Sequence, residues 1–530
     1  MHVPLILTGF FDRAVKYYSN KTAVIDGERR LTYKQVDQRV QKLTRGLQSL
    51  GVEKGDRVSY LAPNSLEMFE GFYGVFQAGG VMNSLNTRLK PEDYIFILNH
   101  AESKVLFVDH VLYERIKGIK DQLETVEIFI VHGMDEDKNG DLSYEKWLAG
   151  FEDSPAERAS LEENDLACLL YTSGTTGNPK GVMLTHRSSY LHALTTMHHL
   201  RVRDDDTLLH VLPMFHVNGW GSPFYYTANG CTQVMQRDMD GHSILENVKS
   251  EGVTVMHMAP TVLNMVIESY GSLKEPYKLD QQLRIVIAGS APPPAFVKRI
   301  EDDLGWEFIQ VYGMTETSPL VTTSQILTEQ KNRAPEDKHR LKAKQGYEMI
   351  GSDVRVVNDE GEDVPRDGKS AGEIVVRSNN VMEGYWKNPE ATASTIRDGF
   401  LYTGDMANVD EGGYIEIVDR KKDVIISGGE NISSIEVEGV LYEHPAVLEA
   451  AIISVPHEKW GEAPHAIVVL REEAAVTEDD LIQFARDHMA HFKVPKGITF
   501  TDALPKTASG KIQKVQLRKP FWEGKDRFIN

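Results

Sequence analysis

Cysteine is nearly absent from this chain of 530 residues: there are two, Cys168 and Cys231. Two thiols far apart in sequence supply no metal-ligand spacing and no disulfide framework, which fits a reducing compartment. Long apolar runs are missing as well. None reaches the roughly 18 residues that cross a bilayer, so no integral membrane span is expected. The opening "MHVPLILTGFFDRAV" has no basic region ahead of its short apolar stretch and does not read as a secretory signal. The closing "RFIN" is not a peroxisomal address. Positive charge is in deficit: 58 Lys and Arg against 78 Asp and Glu give a net charge of −20. Such a balance argues against nucleic acid or an anionic membrane as the main partner, but not against an anionic small molecule met by local basic groups. The cytoplasm is the expected compartment.

What is present is ordinary globular composition, 41% hydrophobic and 26% charged, in a chain too long for one core, so two or more domains are expected. There is no internal repeat and no low-complexity segment. "RVSYLAP", "KVLFVDH", "EIFIVHG", "DLACLLYTSG", "TVMHMAP" and "LRIVIAGSAPP" are apolar, β-rich runs, each closing on Gly, Pro, Asp or Ser. They alternate with helical patterns, among them "FEGFYGVFQAG", which reads as an amphipathic stretch. The pattern predicts an α/β fold with ligand loops at strand ends. From about Ile350 the texture changes to short strands joined by acidic Gly turns, a β-rich subdomain. After "VDRKKDVIISGGENIS" comes a compact α+β region. The expected architecture is an α/β multi-subdomain chain: residues 1–421 as a large N-terminal domain and 422–530 as a small, mobile C-terminal domain.

"DEDKNGDLSYEK" (Asp135–Lys146) comes close to a calcium EF-hand loop, with Asp135, Asp137, Asn139, Gly140, Asp141 and Ser143 in place. The twelfth position, which must be a bidentate Glu, is Lys146, and the preceding "VEIFIVHG" reads as strand rather than helix. An acidic surface turn is expected instead.

"YTSGTTGNPKG" (Tyr171–Gly181) is an apolar strand running into a glycine-rich loop. Glycines admit backbone N–H groups close to an anion, Thr172, Ser173, Thr175 and Thr176 add hydroxyl donors, and Lys180 adds positive charge. This is phosphate chemistry in outline. Pro179 stands where a Walker A loop needs its second Gly, and G-x-G-x-x-G is not formed either.

The stretch resembles the signature of the acyl-adenylate-forming (AMP-binding) superfamily, and five more stretches match in the superfamily's order. They are "AGSAPP" (Ala288–Pro293), "VYGMTETS" (Val311–Ser318), "YTGD" (Tyr402–Asp405), "DRKKDVIISGGENIS" (Asp419–Ser433) and "PKTASGKIQK" (Pro505–Lys514). The resemblance covers essentially the whole chain. It implies an AMP-forming ligase: a carboxylate attacks the α-phosphate of ATP with Mg²⁺, and coenzyme A then takes the acyl group. ATP and AMP would be bound by Thr172, Ser173, Gly174, Thr175, Thr176, Gly177 and Lys180 around the phosphates. Gly289, Ser290, Ala291, Tyr312 and Gly313 would lie at the adenine, Thr315 at the α-phosphate, and Asp405 and Arg420 at the ribose and nucleotide. Glu316 and Ser173 would hold Mg²⁺. Lys511 would clamp carboxylate and α-phosphate as charge develops. The small domain would rotate about Lys422, and Gly428 and Gly429 would border the coenzyme A path.

"LPMFHVNGWGSPF" (Leu212–Phe224) resembles the fatty-acyl-CoA synthetase version, in which His216 lies near the carboxylate and Gly219 and Trp220 border the acyl tunnel. The Met-rich "VTVMHMAPTVLNMV" suits an adaptable apolar pocket. The expectation is a medium- to long-chain fatty acid. A short thioether, branched or aryl acid stays open beside it, as do a luciferase-like monooxygenase, a non-catalytic adenylate-binding scaffold and assembly as a homodimer. Acetate is disfavoured by Glu430 and Asn431, where acetyl-CoA synthetases carry "SGHR".

Overall fold

Short β-branched runs that end in Gly, Pro or Asp become strands, as their composition predicts: Arg57–Leu61, Ser103–Asp109, Ile128–His132, Leu166–Thr172, Val255–Met258 and Arg284–Ile287. The computed structural model describes residues 1–172, 178–273, 277–289, 292–471, 474–506 and 512–523. The chain groups into two units, Met1–Asp353 with Val376–Leu401, and Val354–Val375 with Tyr402–Asn530.

The first unit is built on two sheets, of eight and nine strands among the described residues. In the eight-stranded sheet, Val81–Ser84, Arg57–Leu61, Ser103–Asp109 and Ile128–His132 run parallel. In the nine-stranded sheet, Thr232–Met235, Thr207–His210, Val255–Met258, Arg284–Ile287 and Glu307–Gly313 do the same. Parallel strands are buried on both faces, which is why these runs are continuously apolar. Their C-terminal ends open along one edge of each sheet, where ligand loops sit in such folds.

The helix Leu66–Gln77 departs from the amphipathic reading: all twelve residues are buried. Its two carboxylates are kept inside by arginines. Glu67 Oε1 lies 2.5 Å from Arg29 and Glu70 Oε2 lies 2.7 Å from Arg39. Paired ions disguise a buried helix as a one-faced one, because periodicity counts any charge as solvent-facing.

In the second unit the β-rich segment places Ser352–Val357, Gly372–Ser378 and Phe400–Val409 side by side, with Ile415–Arg420 on the last. The C-terminal part has Val447–His457 and Gly461–Leu470 as its central antiparallel pair. The helices Ser434–Tyr442, Glu478–His488 and Lys514–Trp522 accompany that pair. Val437, Leu441, Ile452, Val468 and Leu481 form its core. This is the expected compact α+β region. No helix among the described residues is long and apolar enough to cross a membrane, and both cysteines are free and buried.

Ile128–His132 is a strand, so the calcium-like loop is not framed by a helix at its start. Within it, Lys146 Nζ lies 2.6 Å from Glu136 and 3.4 Å from Asp137. Asp141 is not on the surface: it is buried and paired with Lys120.

Candidate functional site

The glycine loop springs from an antiparallel hairpin, Leu166–Thr172 with Lys180–Thr185, in which Thr172 faces Lys180. Ser173, Gly174, Thr175, Thr176 and Gly177 lie outside the described residues, as do Ser290, Ala291 and Lys511. The base of the loop is described in full. Lys180 Nζ stands 4.7 Å from the centre of the Tyr385 ring, within cation–π range. Tyr385 is brought there by a two-residue strand, Gly384–Tyr385, that adds to the hairpin with Tyr385 opposite Val182.

The Tyr385 hydroxyl donates to Glu316 Oε1 at 2.8 Å. Burial, reinforced by the Glu316 carboxylate, pushes the tyrosine pKa up, so the hydroxyl keeps its proton and remains a donor. Glu316 is only 7% exposed and rides on the single turn Thr315–Thr317. Its carbonyl accepts from the Met382 N–H at 2.9 Å, and Ser318 Oγ donates to the Asn380 carbonyl at 2.6 Å. One stretch of chain, residues 380–386, thus fastens the Thr-Glu-Thr turn to the hairpin.

Gly289 follows Arg284–Ile287, and Tyr312 and Gly313 end Glu307–Gly313. These strands are adjacent and parallel, so their loops leave the sheet at the same edge, with Thr315 and Glu316 next in the chain. Gly313 has no alternative: a Cβ there would stand 1.7 Å from the Pro319 carbonyl oxygen.

His216 opens the next feature. Val217, Asn218, Gly219, Trp220 and Gly221 all have positive φ, between 47° and 73°. For Val and Trp this is a costly backbone, of order 1–3 kcal/mol per residue, that persists only where packing over-determines it. Here Asn218 Nδ2 donates to Cys168 Sγ at 3.2 Å. Trp220, 5% exposed, stacks on His257 at 5.9 Å. Tyr226 Oη is 3.1 Å from His257 Nε2. Burial pushes His257 down to about 3, so this ring is neutral and packs as a polar wall.

In the second unit, Asp405 faces Arg420 across an antiparallel pair, with Arg420 Nε 2.8 Å from Asp405 Oδ1. Burial lowers the pKa of Lys422, with Asp423 working against it. Gly428 and Gly429 form a two-residue hairpin turn, φ 61° and 89°, between Ser427 and Glu430. Positive φ at both positions is what a tight hairpin of this hand needs, hence two glycines.

Sequence reasoning missed Tyr385 and His257. "EGYWKN" carries no spacing that marks its tyrosine. His257 sits in a run that draws the eye to its methionines. Among the described residues no three His, Cys, Asp or Glu side chains gather as a metal site. Mg²⁺ needs no such cage: it keeps its waters and takes one or two carboxylates plus substrate phosphates. The fixed, hard-oxygen donor Glu316 fits that requirement.

Residues 11–386 match the family described as AMP-binding enzyme, and residues 436–511 the AMP-binding enzyme C-terminal domain. The peroxisomal butyrate–CoA ligase of Arabidopsis thaliana is 40% identical over 537 residues, 98% of this chain and 93% of that protein. The long-chain-fatty-acid–CoA ligase of Thermus thermophilus is 39% identical over 533 residues, 98% of this chain and 96% of that protein. The crystal structure of an anthranilate CoA ligase in complex with anthranoyl-AMP superposes with a TM-score of 0.87 at 27% identity, covering 98% of both chains.

Proposed function

The chain belongs to the AMP-binding enzyme family and is an AMP-forming acid–CoA ligase, and from that premise we propose how its residues divide the two half-reactions and which acid they serve. The observation that carries the assignment is the line Lys180–Tyr385–Glu316. It joins the base of the glycine loop to the Thr-Glu-Thr turn at distances of 4.7 and 2.8 Å.

In the first step the acid carboxylate displaces pyrophosphate from the α-phosphorus of ATP, giving acyl-AMP. The glycine loop, residues 173–177 with Thr172 and Lys180, embraces the β- and γ-phosphates. Thr315 contacts the α-phosphate. Glu316 and Ser173 would hold Mg²⁺, which would neutralise phosphate charge. Tyr312 stacks on adenine, whose edge meets the backbone of Gly289, Ser290, Ala291 and Gly313. Asp405, aimed by Arg420, accepts from the ribose hydroxyls. His216 lies by the carboxylate, and Lys511 bridges the two reacting anions. In the second step the coenzyme A thiol attacks the acyl carbonyl, the acyl–oxygen bond to AMP breaks, and AMP leaves. The domain boundary at 421/422, rotation about Lys422 and a thiol path past Gly428 and Gly429 belong to the same proposal, as does a cytoplasmic location.

For the acid, we favour a short, branched or aryl monocarboxylate. The support is the cluster of buried rings that follows His216, where Trp220 stacks on His257 and the Tyr226 hydroxyl meets the same imidazole. Relatives named for butyrate and anthranilate agree with it. The second reading is the medium- to long-chain fatty acid. It is favoured by the resemblance of Leu212–Phe224 to the fatty-acyl version and by the Thermus relative, and it requires Trp220 to swing off His257. Coenzyme A-dependent AMP release across butyrate, 2-methylpropanoate, benzoate, octanoate and palmitate decides. Trp220→Ala should extend the accepted chain while leaving KM for ATP nearly unchanged. A shifted KM for ATP with an unaltered acid profile would remove Trp220 from the acid site.

A further inference from the structure

Lys511 stands three residues ahead of Lys514 in the chain, and Lys514 opens the helix Lys514–Trp522. That helix is fastened in an unusual way. Lys514 is a mostly enclosed ammonium group, 2.7 Å from Glu438 Oε1 and 2.6 Å from Ser434 Oγ. Ser434 Oγ in turn donates to Asp419 Oδ1 at 2.9 Å, and the Ser434 N–H donates to the other oxygen of the same carboxylate. One turn on, Arg518 donates to the Lys422 carbonyl at 3.2 Å and pairs with Asp423. Burial pushes the Lys514 pKa down, and the facing carboxylates of Glu438 and Asp419 more than offset that, so the lysine is a charged member of the cluster.

Residues i and i+4 share one helix face. This face therefore grips the peptide around Lys422 from both sides: Lys514 reaches Asp419, three residues before it, through Ser434, and Arg518 reaches Lys422 and Asp423 directly. At the other root of the loop, Lys506 bridges to Ile512. We propose that Lys514 and Arg518 are positioning residues for adenylation. They fix the roots of the segment that carries Lys511 to the hinge peptide, so that the setting of the hinge becomes the setting of the lysine.

The inference rests on the roles of Lys511 and Lys422 proposed above. Its logic is physical. A lysine ammonium on its four-carbon stem can take many positions, and a misplacement of about 1 Å at a reacting centre costs on the order of 10²-fold. A largely buried ion cluster restricts that freedom at its root, whereas a merely solvated helix would not. Retention of charge inside a domain that has apolar residues at hand is then explained by registry rather than by stability.

The test separates the half-reactions. Adenylation is read by ATP–pyrophosphate exchange, and thioester formation by synthetic acyl-AMP plus coenzyme A. Arg518→Ala should lower kcat for adenylation by roughly 10- to 10²-fold, with KM for ATP and acid nearly unchanged, and should slow thioester formation far less. Arg518→Lys, which keeps the charge opposite Asp423, should recover much of the loss. Where Arg518→Ala unfolds, the double variant Lys514→Met with Glu438→Gln removes that ion pair as a whole, leaves Asp419 its two bonds from Ser434, and should show the same split. Equal slowing of both half-reactions would overturn the inference. Unchanged adenylation in these variants while Lys511→Ala is dead would overturn it alone. Full adenylation by Lys511→Ala would overturn the reading beneath it, and the inference with it.

Discussion

Tyr385 presents two surfaces to two charges: its ring to the Lys180 ammonium and its hydroxyl to the Glu316 carboxylate. Tyr385→Phe keeps the first and deletes the second. Glu316 would then lose one charged hydrogen bond in a buried place, a loss of about 1.5–3 kcal/mol where the bond is made. Adenylation should fall on the order of 10-fold, and the Mg²⁺ concentration for half-maximal exchange should rise. Glu316→Gln should cost more, because it removes the very charge proposed to hold Mg²⁺. A Tyr385→Phe enzyme with wild-type exchange at limiting Mg²⁺ would separate the tyrosine from the metal site. Neither the bond nor the residue is legible in the sequence. "MTETS" and "GYW" are about 70 positions apart, and they meet through tertiary contacts: the strand addition of Gly384–Tyr385 and the bonds of Met382 and Asn380 to the turn.

At the scale of elements, the helix Leu66–Gln77 shows what patterning reads and what it does not. Its length and its Ser65 cap follow local rules. Its burial does not, because Glu67 and Glu70 look like a solvent face until Arg29 and Arg39 are placed against them. A pH dependence follows. Burial pushes Glu67 up, but Arg29, helped by His132, outweighs it, and the carboxyl is held at about 2. The folded value is thus below the unfolded one, near 4.3, so the stabilisation is fully present above about pH 4.3 and is lost as pH falls toward 2. Its size is at most about 3 kcal/mol, and less after solvent screening of the partly exposed Arg29. Arg29→Met should move acid unfolding, followed by circular dichroism, to higher pH, and an unmoved midpoint would show that the pair carries no such weight. Strand runs, among them the one leading into the glycine loop, and the α+β C-terminal region were readable from composition and turns. The left-handed turn at Val217–Gly221 was not, since its Val and Trp adopt backbone angles that only tertiary packing enforces. The calcium-like loop is a parallel case. Its spacing invites a metal, but Lys146 supplies the cation from within, and Asp141 already holds Lys120. Calorimetry should find no micromolar calcium binding, and a Ca²⁺ isotherm abolished by Asp135→Ala would overturn this.

On the scale of the whole molecule, one site must serve two chemistries that want different neighbours. Adenylation brings two anions together and needs a cation between them; thioester formation needs room for a thiol where that cation stood. A single static arrangement serves one of these poorly, and the hinge proposed above would let the chain alternate. On that proposal Lys511 belongs to the first arrangement only. Losing such a donor from a water-poor site costs on the order of 10²–10³-fold. Lys511→Ala should therefore be nearly inert from acid plus ATP, yet largely active from synthetic acyl-AMP plus coenzyme A. On the same proposal Lys422 belongs to neither chemistry but to the passage between them. Lys422→Pro fixes φ at the proposed pivot and should leave whichever half-reaction matches the frozen setting while suppressing the other and the overall turnover. Single-turnover assays of each step, run on both variants beside the wild type, read this directly. Lys422→Pro with both steps intact, or Lys511→Ala with both steps equally slowed in a folded protein, would mean that the two reactions share one arrangement.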